Sequence, residues 1–222
     1  MQLKTHTQFS ADDYCPRDHS LDRRLRGSLH RAGFDVVDEM MGKRSEFERK
    51  PRDFYPTPYE AVVPLLPFVC EDTVWVDPCA GDGALIKHFQ NHDIDIAGSD
   101  THPMGPGIIE LDAFNQSTEK WYDENWFGID ECVAGFITNP PYDWKILNPL
   151  ITHLSDMAPT WLLLPADMMH NRRMAKHLDR CDMIVSVGRV KWFGNQSGME
   201  NSAWYLFDTN FTDDTLFFAR AT

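Results

Sequence analysis

The chain has 222 residues, enough for one sizeable core, and carries a formal net charge of −13 with 42% hydrophobic residues. It contains no apolar run near the roughly 20 residues that cross a bilayer. The five cysteines form neither a close pair nor a zinc-binding spacing. These features exclude a membrane-spanning protein and a disulfide scaffold. We therefore expect a cytoplasmic protein without a bound metal.

The charge is unevenly distributed along the chain. Residues 1–52 hold 11 Lys/Arg against 9 Asp/Glu, whereas residues 53–222 hold 10 against 25. We predict that the first segment is a polar, relatively basic arm with a short helix at Leu21–His30, and that residues 53–222 form the catalytic domain. The basic residues of the arm either stay solvated or contact phosphate groups, and the sequence leaves both interpretations open.

From Thr73 onward, short β-branched apolar runs alternate with stretches of helical periodicity. This alternation predicts a doubly wound, Rossmann-like α/β fold with a seven-stranded sheet. The last two strands are separated by the polar loop Gly194–Asn201, so we expect them to pair as a hairpin with the last strand antiparallel. The predicted strands are Val74–Asp77, Ile94–Asp100, Ile108–Leu111, Val133–Thr138, Trp161–Pro165, Met183–Val190 and Ala203–Asp208. The predicted helices are Ala84–Asn91, Ser117–Trp126, Trp144–Met157 (bent or divided by Pro149) and Asp167–Asp179.

The first strand runs into a glycine-rich turn, VWVDPCAGDG at Val74–Gly83. Gly81 and Gly83 allow the backbone to approach a ligand closely at the carboxyl end of the strand. Asp77 and Asp82 would repel a pyrophosphate but suit the ammonium and sulfonium groups of S-adenosylmethionine. The competing interpretation is a tight turn with a purely structural role.

Two further acids follow the next predicted strands. Asp100 lies 23 residues after Asp77, at the spacing where Rossmann-type folds place an acid on ribose hydroxyls. Asp112 can accept a hydrogen bond from an adenine amino group, with Phe114 packing on the ring. An exposed turn residue in the first case, and a capping or surface residue in the second, are the alternatives.

The fourth predicted strand ends in FITNPPYDW, Phe136–Trp144. Because a residue before proline is held in an extended conformation, Asn139 and Pro140 present rigid acceptors. The Asn139 side-chain oxygen and the Pro140 carbonyl can accept both N–H bonds of an amino group, while Tyr142 offers an aromatic face. Pro140 and Pro141 both lack a backbone N–H, so this segment offers mainly acceptors. The alternative is a stiff turn without a catalytic role.

This arrangement suits methyl transfer to an exocyclic amino nitrogen. Such a nitrogen is a poor nucleophile because its lone pair is delocalised into the ring. Accepting both of its N–H bonds favours a pyramidal nitrogen and stabilises the positive charge that develops during transfer. No strong general base is needed, since the methylated nitrogen readily loses its proton.

These motifs resemble the amino-group methyltransferases, which modify adenine N6, cytosine N4 or protein glutamine. The resemblance rests on DFYPTP, DPCAGDG, Asp100, Asp112 and NPPY, and covers roughly residues 53–208. It implies that Tyr55 and Thr57 line the cofactor pocket, with Thr57 near the cofactor carboxylate. The remaining cofactor contacts implied are Asp77, Pro78, Ala80, Gly81, Gly83, Asp100, Asp112, Phe114 and Asn139.

The C-terminal part, GRVKWFGNQSGMENSAWYLFD, resembles the closing hairpin of compact phage-type adenine methyltransferases. The resemblance implies N6 of adenine in DNA as the target, in a bacterium or a phage-infected host. No large insertion follows Asp112 and no separate domain follows Asp208, so RNA adenine and protein glutamine N5 stay as alternatives. A non-catalytic cofactor-binding module is a third.

Two other features have simpler structural interpretations. Asn171–Arg180, NRRMAKHLDR, places Arg172, Arg173, Lys176 and Arg180 on a predicted helix, whose basic face is either solvated, which we favour slightly, or in contact with phosphate. Trp192 and Trp204 are expected in the core of the hairpin rather than as base-stacking platforms.

Overall fold

The computed structural model describes residues 54–71, 73–115, 133–192, 201–210 and 214–219. The predicted arm at residues 1–52, with its helix at Leu21–His30, lies outside the described residues. So do the predicted helix Ser117–Trp126 and the polar loop Gly194–Asn201, except for Asn201 itself.

Eight strands form one sheet in the order β3-β2-β1-β4-β5-β7-β6-β8. Within the described ranges, β7 alone runs antiparallel, between β5 and β6. The predicted doubly wound α/β fold with an antiparallel seventh strand is therefore confirmed, and β8 is an addition that the sequence analysis missed. The strands are β1 (Val74–Asp77), β2 (Ile96–Asp100), β3 (Ile109–Glu110), β4 (Val133–Thr138), β5 (Thr160–Pro165), β6 (Cys181–Arg189), β7 (Asn201–Phe207) and β8 (Leu216–Phe218).

Two predicted helices differ from those in the structure. Pro149 does not divide its helix, which runs without interruption from Trp144 to Ser155. The predicted helix Asp167–Asp179 is instead a 3-10 segment followed by a single helical turn, because Asn171 accepts the N–H of Arg173 and starts a new turn there. The α-helices are α1 (Tyr59–Val62), α2 (Ala84–Gln90), α3 (Trp144–Ser155) and α4 (Ala175–Leu178), and 3-10 segments lie at Val63–Phe68, Ala113–Asn115 and Ala166–His170.

Both faces of the sheet are covered, as in other parallel sheets. On one face, the tryptophans Trp75, Trp161 and Trp204 are fully buried in a single cluster. The indole of Trp204 donates a hydrogen bond to the Ala61 carbonyl at 2.7 Å, which satisfies its polar atom. Trp192 packs against the same cluster. The expectation that Trp192 and Trp204 belong to the core is confirmed.

The strand order reverses between β1 and β4. The chain passes from β1 outward to β2 and β3, then returns to β4 on the other side of β1. In open α/β sheets, the crevice outside the carboxyl ends of the strands at such a reversal is where ligands bind. None of the helices in the described ranges combines the length and apolar character that a membrane crossing requires.

Candidate active site

A pocket of about 650 Å³ lies at the carboxyl ends of β1, β2 and β4, within the size range of small-molecule sites. The structure brings most of the predicted site residues together around it. Gly83, Pro140 and Tyr142 are the predicted site residues that do not line it. Those that do are Tyr55, Thr57, Asp77, Pro78, Ala80, Gly81, Asp100, Asp112, Phe114, Asn139 and Pro141.

The glycine turn after β1 requires glycine for two separate reasons. Gly81 and Gly83 have φ angles of +54° and +79°, in the left-handed region that side chains disfavour. A Cβ at Gly81 would also lie 2.7 Å from the ring of Phe54. Phe54 lines the pocket and packs over the turn, a role that the sequence analysis missed although it had singled out the segment around it.

Four carboxylates in the pocket lining are each fixed by a local turn. In every case the side chain accepts the backbone N–H of the residue two positions later, the pattern of an Asx turn. Asp100 also accepts the N–H of Gly81 at 2.8 Å, so that it joins the loop after β2 to the glycine turn. The four donor–acceptor pairs are Cys79–Asp77 at 3.1 Å, Ala84–Asp82 at 3.1 Å, His102–Asp100 at 2.8 Å and Phe114–Asp112 at 3.0 Å.

Asp77 is the most deeply placed of these acids, with only 1% of its surface exposed. Burial raises the pKa of its carboxyl to about 7, and the negative charge of Asp100 adds to the effect. The nearby Thr138 hydroxyl and the Cys79 N–H act in the opposite direction. The Thr138 hydroxyl lies close to the carboxyl without hydrogen-bond geometry to any described residue. A positive ligand group beside Asp77 would favour its ionised form.

The pocket lining combines this acidity with an absence of strong bases. Asp77, Asp82, Asp100 and Asp112 line it, whereas the described lining residues include neither Lys nor Arg. A nucleotide phosphate placed here would meet repulsion without a compensating cation. A ligand with positive groups would be attracted.

Asn139 lies at the other side of the pocket, just beyond β4. Its amide nitrogen donates to the Tyr55 carbonyl and to the Thr57 hydroxyl, both at 3.2 Å. A backbone carbonyl can only accept, so the opposite orientation of the amide would set two oxygens against each other. The carboxamide is thus held with its oxygen directed away from Tyr55.

The Asn139 oxygen accepts a hydrogen bond from the Tyr142 hydroxyl at 3.1 Å. The same hydroxyl lies 3.1 Å from the carbonyl of Leu163 in β5. One phenol proton serves one of these acceptors well at a time. The ring of Tyr142 is half-buried and packs against a core cluster that includes Leu147 and Leu164. The structure therefore places the hydroxyl of Tyr142 next to Asn139.

Three apolar side chains at the pocket mouth are unusually exposed. Met104, Phe114 and Ile146 line the pocket and have 54%, 40% and 41% of their surfaces exposed. His153 lies against the Phe114 ring, with 5.5 Å between ring centroids. Exposed apolar side chains around a concave site mark a ligand surface. The sequence analysis identified Phe114 alone of the three, since Met104 lies in a loop and Ile146 falls on a helix whose pocket-facing side no pattern specified.

The chain matches no family model and no curated protein sequence. A structure from a study of complex assembly and conformational transition in the type I R-M system aligns at TM-score 0.46 and 12% identity, over 75% of this chain and 45% of that chain. A modification subunit of a candidate type I restriction enzyme from Vibrio vulnificus aligns at TM-score 0.46 and 12% identity, over 76% and 47%.

A candidate class I S-adenosylmethionine-dependent methyltransferase from Listeria monocytogenes aligns at TM-score 0.43 and 12% identity, over 73% of this chain and 61% of that chain. This chain spans about half the length of the first two structures. Similarity at this level carries no information about what the chain binds or modifies.

Proposed function

We propose that this protein is an S-adenosylmethionine-dependent methyltransferase that methylates N6 of adenine in nucleic acid, with DNA as the favoured substrate. One observation carries the proposal. A pocket lined by four carboxylates and no described Lys or Arg adjoins an asparagine that is oriented by hydrogen bonds at both ends of its amide.

The first half of the site fits the cofactor by charge and size. S-adenosylmethionine supplies, when bound, a methyl group activated by a sulfonium centre. Asp77 and Asp82 offer negative charge to its cationic groups, and the pocket volume of about 650 Å³ accommodates a nucleoside-sized ligand. An NAD-type dinucleotide would bring phosphates into the same acidic environment, which disfavours it.

The outer part of the pocket suits the nucleoside portion of the cofactor. Asp112 is fixed by its turn beside Phe114, whose exposed ring can pack on adenine. Asp100 can accept ribose hydroxyls with the lone pairs that its two backbone hydrogen bonds leave. Because these bonds already involve both of its oxygens, Asp100 has a second task in holding the glycine turn.

The second half of the site would bind the target amine. The Asn139 oxygen and the Pro140 carbonyl accept its two N–H bonds, and the extended backbone before each proline keeps these acceptors rigid. Preorganised acceptors stabilise positive charge on the nitrogen without reorganising during the reaction. The nitrogen then loses its proton to solvent, so no base among the site residues is required.

Tyr142 has two tasks in this scheme. Its hydroxyl shields the Asn139 oxygen until the amine arrives, then transfers its hydrogen bond to Leu163, which already lies within reach. Its half-buried ring leaves part of one face for stacking on the target base, which fixes the direction of attack. In a duplex, the adenine must first leave the base stack, at a cost of a few kcal/mol.

Protein glutamine N5 is the second candidate target. A side-chain amide offers the same two N–H bonds and the same flat shape as an adenine amino group. The net charge of −13 favours this option, because a strongly acidic protein repels the phosphates of nucleic acid.

The test is a methyl-transfer assay with labelled S-adenosylmethionine and separate samples of duplex DNA, single-stranded DNA, transfer RNA and protein extract. Products are hydrolysed and identified as nucleosides or amino acids, and the Asn139→Ala protein is the matched negative control. We expect N6-methyladenine, formed by the wild-type protein only. Methylated glutamine would select the second candidate. Cofactor binding without methyl transfer to any sample would instead identify a non-catalytic cofactor-binding module.

A further inference from the structure

Four of the seven exposed Lys and Arg residues in the described ranges lie in two neighbouring segments, and the other three are Lys87, Arg189 and Lys191. The described ranges contain 8 Lys/Arg against 16 Asp/Glu. Half of these cations are exposed residues in two short segments, at the start of α3 and around α4. They are Lys145, Arg172, Arg173 and Lys176, and together they are called the basic face below.

The two segments that carry the basic face touch each other. Trp144 in α3 makes an edge-to-face contact with His177 in α4, with 6.1 Å between ring centroids. His177 also shares a hydrogen bond of 3.0 Å with the side-chain oxygen of Asn148. Lys145 follows Trp144 and Lys176 precedes His177, so these two lysines extend from adjoining turns of neighbouring helices.

The basic face borders the proposed target site. The 3-10 segment Ala166–His170 continues from the carboxyl end of β5, and its Met168 and Met169 pack on the same core cluster as Tyr142 and Trp144. Arg172 and Arg173 follow this segment after Asn171. Parallel β4 and β5 end at the same edge of the sheet, so the segment that leads to the arginines starts on the side where Asn139 emerges.

The structure separates Arg180 from this group, although the sequence places it in one run with Arg172, Arg173 and Lys176. Its guanidinium makes a 2.6 Å ion pair with Asp156 and a 3.0 Å hydrogen bond to the Ser155 hydroxyl. Asp143, the acid nearest to Lys145 in sequence, accepts the Lys145 backbone N–H at 3.0 Å and so caps α3. Asp167 and Asp179 are the other acids in these segments.

We propose that the basic face binds the phosphodiester backbone of the nucleic acid whose base enters the site, an inference that rests on the proposed function. The acidic pocket repels phosphate, whereas the basic face attracts it. This division confines the backbone to the rim and admits only the uncharged base to Asn139. It also explains how a protein of net charge −13 binds a polyanion, since local charge rather than net charge determines where phosphates bind.

The experiment compares two double variants, Arg172→Gln/Arg173→Gln and Lys145→Gln/Lys176→Gln, with the wild type. Fluorescent single-stranded DNA, duplex DNA and single-stranded RNA of one sequence are titrated at several salt concentrations. Removing one cation from a phosphate should reduce the log–log salt slope by about 0.7 to 0.9, so each double variant should show about twice that reduction. The DNA and RNA arms show which backbone is bound more tightly.

Lys87→Glu is the matched control, because Lys87 is exposed in the middle of α2, outside the basic face, and its substitution changes the net charge by the same amount as either double variant. We expect it to leave the salt slope unchanged, and we expect the double variants to keep the affinity for S-adenosylmethionine. The proposal is overturned if both double variants keep the wild-type slope, or if Lys87→Glu reduces it equally. These titrations need no turnover. A failure of methyl transfer would therefore overturn the proposed function while leaving this test intact.

Discussion

The two sides of the pocket are built differently. On the β1 and β2 side, four carboxylates supply the charge, and every one of them also holds a turn of backbone. On the β4 side, a neutral amide is positioned by Tyr55 from a distant segment and by Tyr142 from its own, and it accepts no backbone N–H of a turn. Folding and ligand binding thus depend on the same atoms on the first side, and on different atoms on the second.

The largest effect is expected on the second side, from Asn139→Ala. Losing a preorganised acceptor costs about 10² or more in rate. We expect kcat to fall by at least this factor, whereas the melting temperature should fall only moderately, because the hydrogen bonds lost with Tyr55, Thr57 and Tyr142 are between neutral groups. Steady-state kinetics and thermal unfolding of the same preparations measure both quantities.

Asn139→Asp is a sharper form of the same test. The variant keeps the size of the side chain but places an oxygen against the Tyr55 carbonyl, where the amide nitrogen now donates. We expect a loss of kcat at least as large as in the alanine variant. A kcat within threefold of the wild type in either variant would exclude Asn139 as the acceptor for the amine.

On the first side, Asp100→Ala should reduce binding and stability together. The substitution removes hydrogen bonds to the N–H groups of Gly81 and His102, each involving a charged acceptor. Such bonds contribute roughly 1.5–3 kcal/mol each to stability, so we expect the melting temperature to drop. The affinity for S-adenosylmethionine should fall about tenfold or more, because the acceptor of the ribose hydroxyls is lost as well. Calorimetric titration and thermal unfolding measure the two effects. Unchanged affinity with a lowered melting temperature would assign Asp100 to the turn alone.

The site residues that directly follow a strand could be predicted from the sequence. Alternating apolar runs located β1 to β7, and the carboxyl ends of parallel strands must meet at one edge, so the acids and Asn139 had to converge. The strand β8 escaped prediction because a three-residue strand shows too few alternations to be distinguished from a loop.

The hydrogen-bond partners of the site residues could not be predicted from the sequence. Tyr142 was predicted to offer its face, and the sequence did not indicate that its hydroxyl would also contact Asn139 and Leu163, a residue of β5 that is 21 positions away. Likewise, the Asx turns show that Asp112 caps a 3-10 segment in addition to lining the pocket. Such double roles depend on distances that periodicity does not encode.

The pH dependence of cofactor binding tests whether Asp77 faces a positive group. Its carboxyl has a pKa of about 7 in the ligand-free protein, and only the ionised form attracts a cation. We therefore expect the affinity for S-adenosylmethionine to rise roughly tenfold between pH 5.5 and 7, with proton release on binding. Calorimetry in buffers of different ionisation enthalpy measures both. Affinity that does not change with pH would place the cationic groups away from Asp77.

The stability of the ligand-free protein should change with pH in the opposite direction to its cofactor affinity. The folded-state pKa of Asp77 lies above its ordinary value of 3.8, so the folded protein holds this proton more tightly than the unfolded chain does. The contribution of Asp77 to the free energy of unfolding is therefore largest at low pH, and it falls as the pH rises towards 7. Asp77→Asn should remove this dependence, and the melting temperature of the ligand-free variant between pH 5 and 8 checks it.

The smallest effect is expected where the two sides meet, at Thr57. Its buried hydroxyl accepts one of the two hydrogen bonds that the Asn139 amide donates, while the Tyr55 carbonyl accepts the other. Thr57→Val keeps the shape and removes one acceptor, which is a net change of roughly 0.5–1.5 kcal/mol. With Tyr55 still in place, kcat should fall by about twofold to tenfold, and Thr57→Ser should restore it. The resemblance to amino-group methyltransferases implies instead that Thr57 lies near the cofactor carboxylate. In that case Thr57→Val would raise the KM for S-adenosylmethionine and leave kcat unchanged. Measuring kcat and KM separately therefore decides whether Thr57 supports Asn139 or the cofactor.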